Sequence, residues 1–180
     1  MVKLSNLPKK RIILSMDPGT RDSFAWAVIE QISKTGKCKL IESGILKHPI
    51  SDLINPHLEG QKKLFTKEVR SLLKRFSPTD VVAERFMVRG RFMGASSEKI
   101  SFMLGIVSSM VHPAKFTLLT ASQWKNEFNR HFSNPIQKLY EACKGTPRHT
   151  IDASLIGYYY ANIEGSKFEG WNLRFLILNK

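Results

Sequence analysis

The segment Arg11-Ile12-Ile13-Leu14-Ser15-Met16-Asp17-Pro18-Gly19-Thr20 constrains the fold more than any other part of the chain. Its apolar run from Ile12 to Met16 reads as a buried strand, and that strand delivers a carboxylate, Asp17, straight into Pro18-Gly19. Proline has no amide to give to a ladder and glycine accepts positive φ, so the chain is expected to turn there. From Ser23 to Ile29, Phe24, Trp26 and Val28 alternate with Ala25, Ala27 and Ile29, which again reads as a strand. The pair predicts a hairpin whose first strand ends in an acid at the carboxyl edge of a sheet, where open α/β sheets keep their sites. An Asp-Pro-Gly turn is also a common way to end a strand. The acid therefore gains meaning only from what the rest of the chain brings to it.

Cys38 to Leu46 reads as a third strand, after a Lys34-Thr35-Gly36-Lys37 turn. Leu58, Leu64, Phe65, Val69, Leu72, Leu73 and Phe76 recur at helical spacing, and Ser77-Pro78 ends that helix. Asp80 to Glu84 is a short buried strand that again finishes in an acid. A loop follows with Arg85, Phe86, Met87, Arg89, Arg91 and Phe92, then a helix over 96–111, a strand over 116–120, and short helices over 122–129 and 134–143. Thr146 as cap with Pro147 in the first turn opens a last helix running to about Asn162. Residues 1–10 are expected to be a loose basic lead, 11–163 one domain and 164–180 an extension. The order βββ-α-β-α-β-α-α predicts a mixed five-stranded α/β sheet, an antiparallel meander followed by crossovers, with helices on both faces. Right-handed crossovers put the fourth strand beside the first, away from the hairpin. Asp17 and Glu84 then sit on neighbouring strand ends.

Two carboxylates about 4 Å apart repel by roughly 4 kcal/mol at an effective dielectric near 20, a cost that a cation between them removes. Magnesium suits such an edge, because it takes one or two carboxylates and shares the rest of its shell with water and phosphate oxygens. His149 and Asp152 are spaced to share one face of the last helix, and Asp152 borders its apolar stripe of Ile151, Leu155 and Ile156. An acid in a first helical turn is favoured electrostatically without any catalytic role. That accounts for one acid, not for acids on two strand ends and on the helix expected to pack beside them.

Charge points the same way. Against 15 Asp+Glu the chain carries 28 Lys+Arg, a net +13 spread from Lys3 to Lys180, which suits a polyanion such as nucleic acid. Composition is otherwise that of a soluble globular protein, 42% hydrophobic and 24% charged. Cys38 and Cys143 lie far apart, so neither a zinc site nor a disulfide framework is expected. With no signal peptide and no run of transmembrane length, a cytoplasmic location is the expectation.

Asp17-Pro18-Gly19-Thr20, the strand end Ala83-Glu84 with Phe86-Met87 after it, and His149-x-x-Asp152-Ala153 together resemble the RuvC-type Holliday-junction resolvases, members of the ribonuclease H-like superfold. The likeness spans about 11–161, and it is the order and spacing of the motifs that make it specific. The resemblance implies a ribonuclease H-like fold and a homodimer that nicks opposed strands of four-way DNA junctions, with two Mg²⁺ per site and Mn²⁺ able to substitute. It implies catalytic and metal-binding roles for Asp17, Glu84, His149 and Asp152; the family accepts Asp or His at the position of His149. Arg85, Phe86, Met87, Arg89, Arg91, Lys125 and Lys138 are the expected DNA-binding residues. The chain departs from the family in having Ala25-Trp26-Ala27 where a small-aromatic-small trio carries glycines, and in its tail after Gly165. Two other classes compete: a phosphate-cradling ATPase, which would need a second glycine-rich hairpin that is missing, and a module that grips structured nucleic acid without cutting. Within the nucleases, another branched DNA or an RNA-containing substrate is the alternative.

Overall fold

The computed structural model describes residues 10–19, 23–32, 38–85, 94–131 and 135–163. β1 (Lys10–Pro18), β2 (Phe24–Ile32) and β3 (Cys38–Ile45) form the antiparallel meander. α1 (Leu58–Phe76) crosses to β4 (Asp80–Arg85), and α2 (Ala95–Met110) crosses to β5 (Lys115–Thr120). α3 (Ala121–His131), α4 (Pro135–Ala142) and α5 (Arg148–Ile163) follow. β4 pairs parallel to β1 and β5 parallel to β4, so the sheet runs β3-β2-β1-β4-β5, mixed and five-stranded as the element order required.

The pleat sorts the strand residues onto two cores. Leu14, Met16, Phe24, Trp26, Val28 and Val81 lie under Phe65, Val69 and Leu72 of α1 and Ile100, Met103 and Val107 of α2. Ile13, Ala25, Ala27, Ile29 and Val82 lie under Leu155 and Ile156 of α5 and Trp124 and Phe128 of α3. The alternation in β2 thus feeds both faces. Gly157 lets α5 rest directly on the sheet: a Cβ there would stand 2.6 Å from Ser15 Oγ and from Ile29 Cγ1.

At the amino edge a polar clamp ties three elements. Arg11 grips Asp80 through Nε at 2.7 Å and a second guanidinium nitrogen at 2.8 Å, and the hydroxyls of Thr79 and Tyr160 donate to the same carboxylate at 2.8 and 3.1 Å. Burial alone would raise the Asp80 carboxyl, but these donors and the Arg11 charge hold it below the ordinary aspartate range.

Some boundaries differ from the sequence reading. Lys10 belongs to β1, paired opposite Ile32 with Nζ 3.0 Å from Glu30, rather than to a loose lead. β1 continues through Pro18, and the turn is closed by the Gly19 amide donating to the Ser23 carbonyl at 2.8 Å. Leu64 is 44% exposed and lies off the buried stripe of α1, because it projects to the side of Phe65 and Val69. α5 begins at Arg148, and the Pro147 carbonyl accepts from the amides of Thr150 and Ile151. Pro147, not Thr146, therefore occupies the cap position, since the cap residue's carbonyl accepts the first helical bond. Residues 1–9, the loop residues Phe86, Met87, Arg89 and Arg91, and the 164–180 extension lie outside the described residues.

Candidate functional site

The sheet brings its acids to one edge on one face. Met16 pairs with Ala83, so Asp17 and Glu84 follow on neighbouring strands in matching register. Both share parity with Ile13 and Val82, the residues beneath α5. α5 lies on that face, and its first turns hang over the same edge. His149 Nδ1 stands 2.7 Å from Asp17 Oδ2. Gly19 is required here: a Cβ on it would come within 2.9 Å of His149 Nε2 and collide with Ser23 Oγ. Asp152, one turn further, accepts from the hydroxyl of Tyr140 and lies 3.4 Å from Lys125 Nζ. Glu84 accepts from Trp124 Nε1 at 2.7 Å.

Asp17 and Asp152 are 5% and 8% exposed, so their charges act in a poorly solvated setting. Burial and the nearby Asp17 charge push the Glu84 carboxyl up to about 7, against the opposing pull of Trp124 and Lys125. Burial likewise raises Asp152, which Lys125 and Tyr140 partly offset. His149 is raised by its hydrogen bond to Asp17, with further help from the charges of Asp152 and Glu84. Burial and the hydrogen bond to Asp152 hold the Tyr140 hydroxyl protonated far above the ordinary tyrosine range.

Three carboxylates and an imidazole, drawn from β1, β4 and α5, thus share one electrostatic field. Among the described residues no His, Cys, Asp or Glu trio stands as a ready metal-ligand group. Asp17 is turned to His149, Glu84 to Trp124, and Asp152 to Tyr140 and Lys125. The donor set nevertheless fits a hard divalent cation. Its oxygen-rich chemistry matches, and the cost that raises Glu84, like charge in a buried setting, is the one a cation relieves.

The basic residues divide. Arg85 ends β4, exposed beside Glu84, and Lys138 is exposed on α4. Lys125 is engaged within the site, its ammonium 4.8 Å from the ring centre of Trp124. Sequence reasoning missed Trp124, Tyr140 and Arg148. Trp124 is fully buried and supplies its one polar atom to Glu84. Tyr140 bonds Asp152 and carries the Arg148 guanidinium 5.2 Å from its ring centre. A buried Trp just after the fifth strand, and a Tyr on the short helix before α5, were the available signals. Only the packing of α3 and α4 onto this edge gives them a role.

Solved structures with this fold exist. Thermus thermophilus RuvC in complex with a Holliday-junction substrate superposes with a TM-score of 0.63 at 18% identity, covering 83% of this chain and 92% of that one. The yeast mitochondrial Holliday-junction resolvase Ydc2 superposes with a TM-score of 0.61 at 12% identity, covering 89% and 82%. The chain has the fold of the RuvC-type resolvases. No family model and no curated protein matches its sequence. The likeness is thus one of fold, at 12–18% sequence identity. Among the described residues no helix is long and apolar enough to cross a membrane.

Proposed function

We propose that the protein is a structure-selective DNA endonuclease that resolves four-way junctions by paired symmetric nicks. The observation that carries this is the convergence of Asp17, Glu84, Asp152 and His149 on one edge of a RuvC-type sheet in a chain of net +13. Mg²⁺, with Mn²⁺ able to substitute, would be held by Asp17, Glu84 and Asp152, with His149 serving either as a further ligand or as proton acceptor, two ions per site, and would supply the charge that activates a water and stabilises the departing oxygen. Trp124 fixes the orientation of Glu84, and Tyr140 that of Asp152. Because His149 gives Nδ1 to Asp17, Nε2 is its one atom left for either role, and where it does not hold a cation it can take a proton from the attacking water. Arg85, Lys138 and Arg148 hold the phosphate backbone beside the edge. Phe86, Met87, Arg89 and Arg91 are assigned to DNA binding as well, with Phe86 stacking on an unpaired base, worth about 1–3 kcal/mol.

A second copy completes the reading, because one site makes one nick and a junction needs two placed symmetrically. The face of α2 and β5 supports it. Phe102, Ile106 and Met110 are only half-buried, and Leu118, 42% exposed, projects on the same side from an edge strand. Lysines at Phe102 and Ile106 together are expected to give a folded monomer by light scattering that nicks a cruciform plasmid once. A wild-type protein that stays monomeric on a junction would end the dimer reading.

Incubation with Mg²⁺ and labelled four-way junction, flap, hybrid and linear substrates tests the activity. Cleavage confined to the junction is the expected result. Preference for a flap or hybrid would move the substrate class, and binding without cleavage would make the chain a gripping module.

A further inference from the structure

We propose that the outward face of α1 is a second nucleic-acid surface, which tracks the sugar–phosphate backbone of a duplex arm leaving the site edge. This rests on the reading of the acidic edge as a nuclease site for branched DNA. Lys63, Lys67, Arg70 and Lys74 are all exposed, and at 3.6 residues per turn they fall within about 60° of one another, opposite Phe65, Val69 and Leu72.

The acids of this helix are committed elsewhere. Glu59 pairs with Lys62 at 3.1 Å, and Glu68 accepts from the amides of Lys47 and His48 at 3.3 and 3.0 Å. The neighbouring Arg75 is held by Glu42 at 2.6 Å. Among the described residues the four stripe cations have no such partner. An ordinary solvated helix face mixes signs. Here like charges stand at i,i+3 and i,i+4 spacing, which weakens a helix unless something external neutralises them. Gly60 adds an independent sign. It is the third residue of α1, and a Cβ there would meet nothing within 4 Å, so packing does not require a glycine. It lies, beside the paired Glu59 and Lys62, at the end of a shallow groove of about 700 Å³ that runs past Lys63, Thr66, Lys67 and Arg70, where a backbone can approach closely.

The stripe is also aimed. β3 ends at Ile45, opposite Ala25, which itself pairs with Asp17, so the chain enters α1 from the carboxyl edge. α1 leaves toward the amino edge, where the Thr79 amide donates to the Ile12 carbonyl at 2.9 Å. Lys63 to Lys74 covers about 16 Å at 1.5 Å per residue, the length of roughly five base pairs at 3.4 Å each. The four cations therefore fall along the phosphates of about five base pairs of one arm, directed away from the site.

The test uses the full chain with glutamines at Lys63, Lys67, Arg70 and Lys74. Circular dichroism checks its fold, which loss of like charges should not harm. Binding is measured in EDTA against salt, with four-way junctions of long arms, the same junctions with arms trimmed short of α1, and a linear duplex. The slope of log affinity against log salt should fall by about 2–4 on long arms and on the duplex, at about 0.9 per lost phosphate contact, while the trimmed junction is bound alike by both proteins. Equal slopes on long arms would leave the stripe a solvated face, and equal loss on long and trimmed arms would make it a general charge effect. Either result overturns the proposal. A wild-type protein without junction preference would instead refute the resolvase reading, and the duplex measurement would still decide the stripe.

Discussion

β4 carries an acid at each end, and the two live in opposite worlds. Asp80, at the amino edge, is gripped by Arg11 through two nitrogens and receives the hydroxyls of Thr79 and Tyr160, and its carboxyl is held low. Glu84, at the carboxyl edge, has one indole donor and faces Asp17 and Asp152, and its carboxyl is pushed up to about 7. One carboxylate is satisfied by the protein; the other is kept in like-charged company that the fold does not neutralise. On the proposed reading, the difference separates a carboxylate that holds the structure together from one kept for chemistry, since perturbed acids cluster where charge must be handled.

The sharpest way to break this comparison is at the carboxyl edge. Asp17→Asn or Glu84→Gln is expected to lower Mg²⁺-dependent cleavage by about 10²–10⁴-fold, the range for a group acting on the reacting atoms. Junction binding in EDTA should stay intact or tighten, because a charge repelling phosphate has gone. A variant that cuts at near wild-type rate would move the site elsewhere. His149→Ala should fall less and change the pH–rate profile, and His149→Asp should recover part of the loss.

The amino edge predicts the reverse pattern. Asp80→Asn leaves the Arg11 guanidinium, with only 17% of its side chain exposed, facing a neutral amide. Breaking a buried pair in this way costs about 3 kcal/mol, or roughly 6–12 °C in Tm for a domain of this size. The cutting rate of the folded fraction should not change. Thermal melts beside single-turnover assays separate the two edges, and an Asp80→Asn protein that melts normally would refute the clamp.

Titration gives the smallest and most diagnostic effect. Glu84, Asp152 and His149 all hold protons more tightly than their ordinary values, so in EDTA the native state binds more protons than the unfolded one. Stability contributed by this edge is therefore present at low pH and lost as pH rises, for Glu84 between the ordinary glutamate range and about 7. Asp80 has the opposite sign: its contribution is present above the ordinary aspartate range and lost as pH falls through its lowered pKa. Urea denaturation across pH should show Glu84→Gln flattening the first trend and Asp80→Asn the second. Mg²⁺ should flatten the first without touching the second.

Local pattern alone determined much of this. The two-residue alternation of Phe24 to Ile29, the helical spacing of Phe65, Val69 and Leu72, and the Asp-Pro-Gly stop are written in neighbouring residues, because pleat and helix periods are local geometry. Element order then fixed β4 beside β1, and with it the meeting of Asp17 and Glu84. What the chain could not announce were groups whose meaning depends on distant partners. Asp80 and Glu84 look alike in sequence, yet Arg11 and Tyr160 make one a clamp, while Asp17 and Asp152 make the other an acid under strain. Trp124 and Tyr140 read as ordinary helix residues until α3 and α4 fold over the edge, and Pro147 became a cap only through the amides that α5 turned toward it. Strand and helix periods are short-range facts; the charge state of a buried carboxylate is a sum over everything packed around it, and only the tertiary structure supplies the terms.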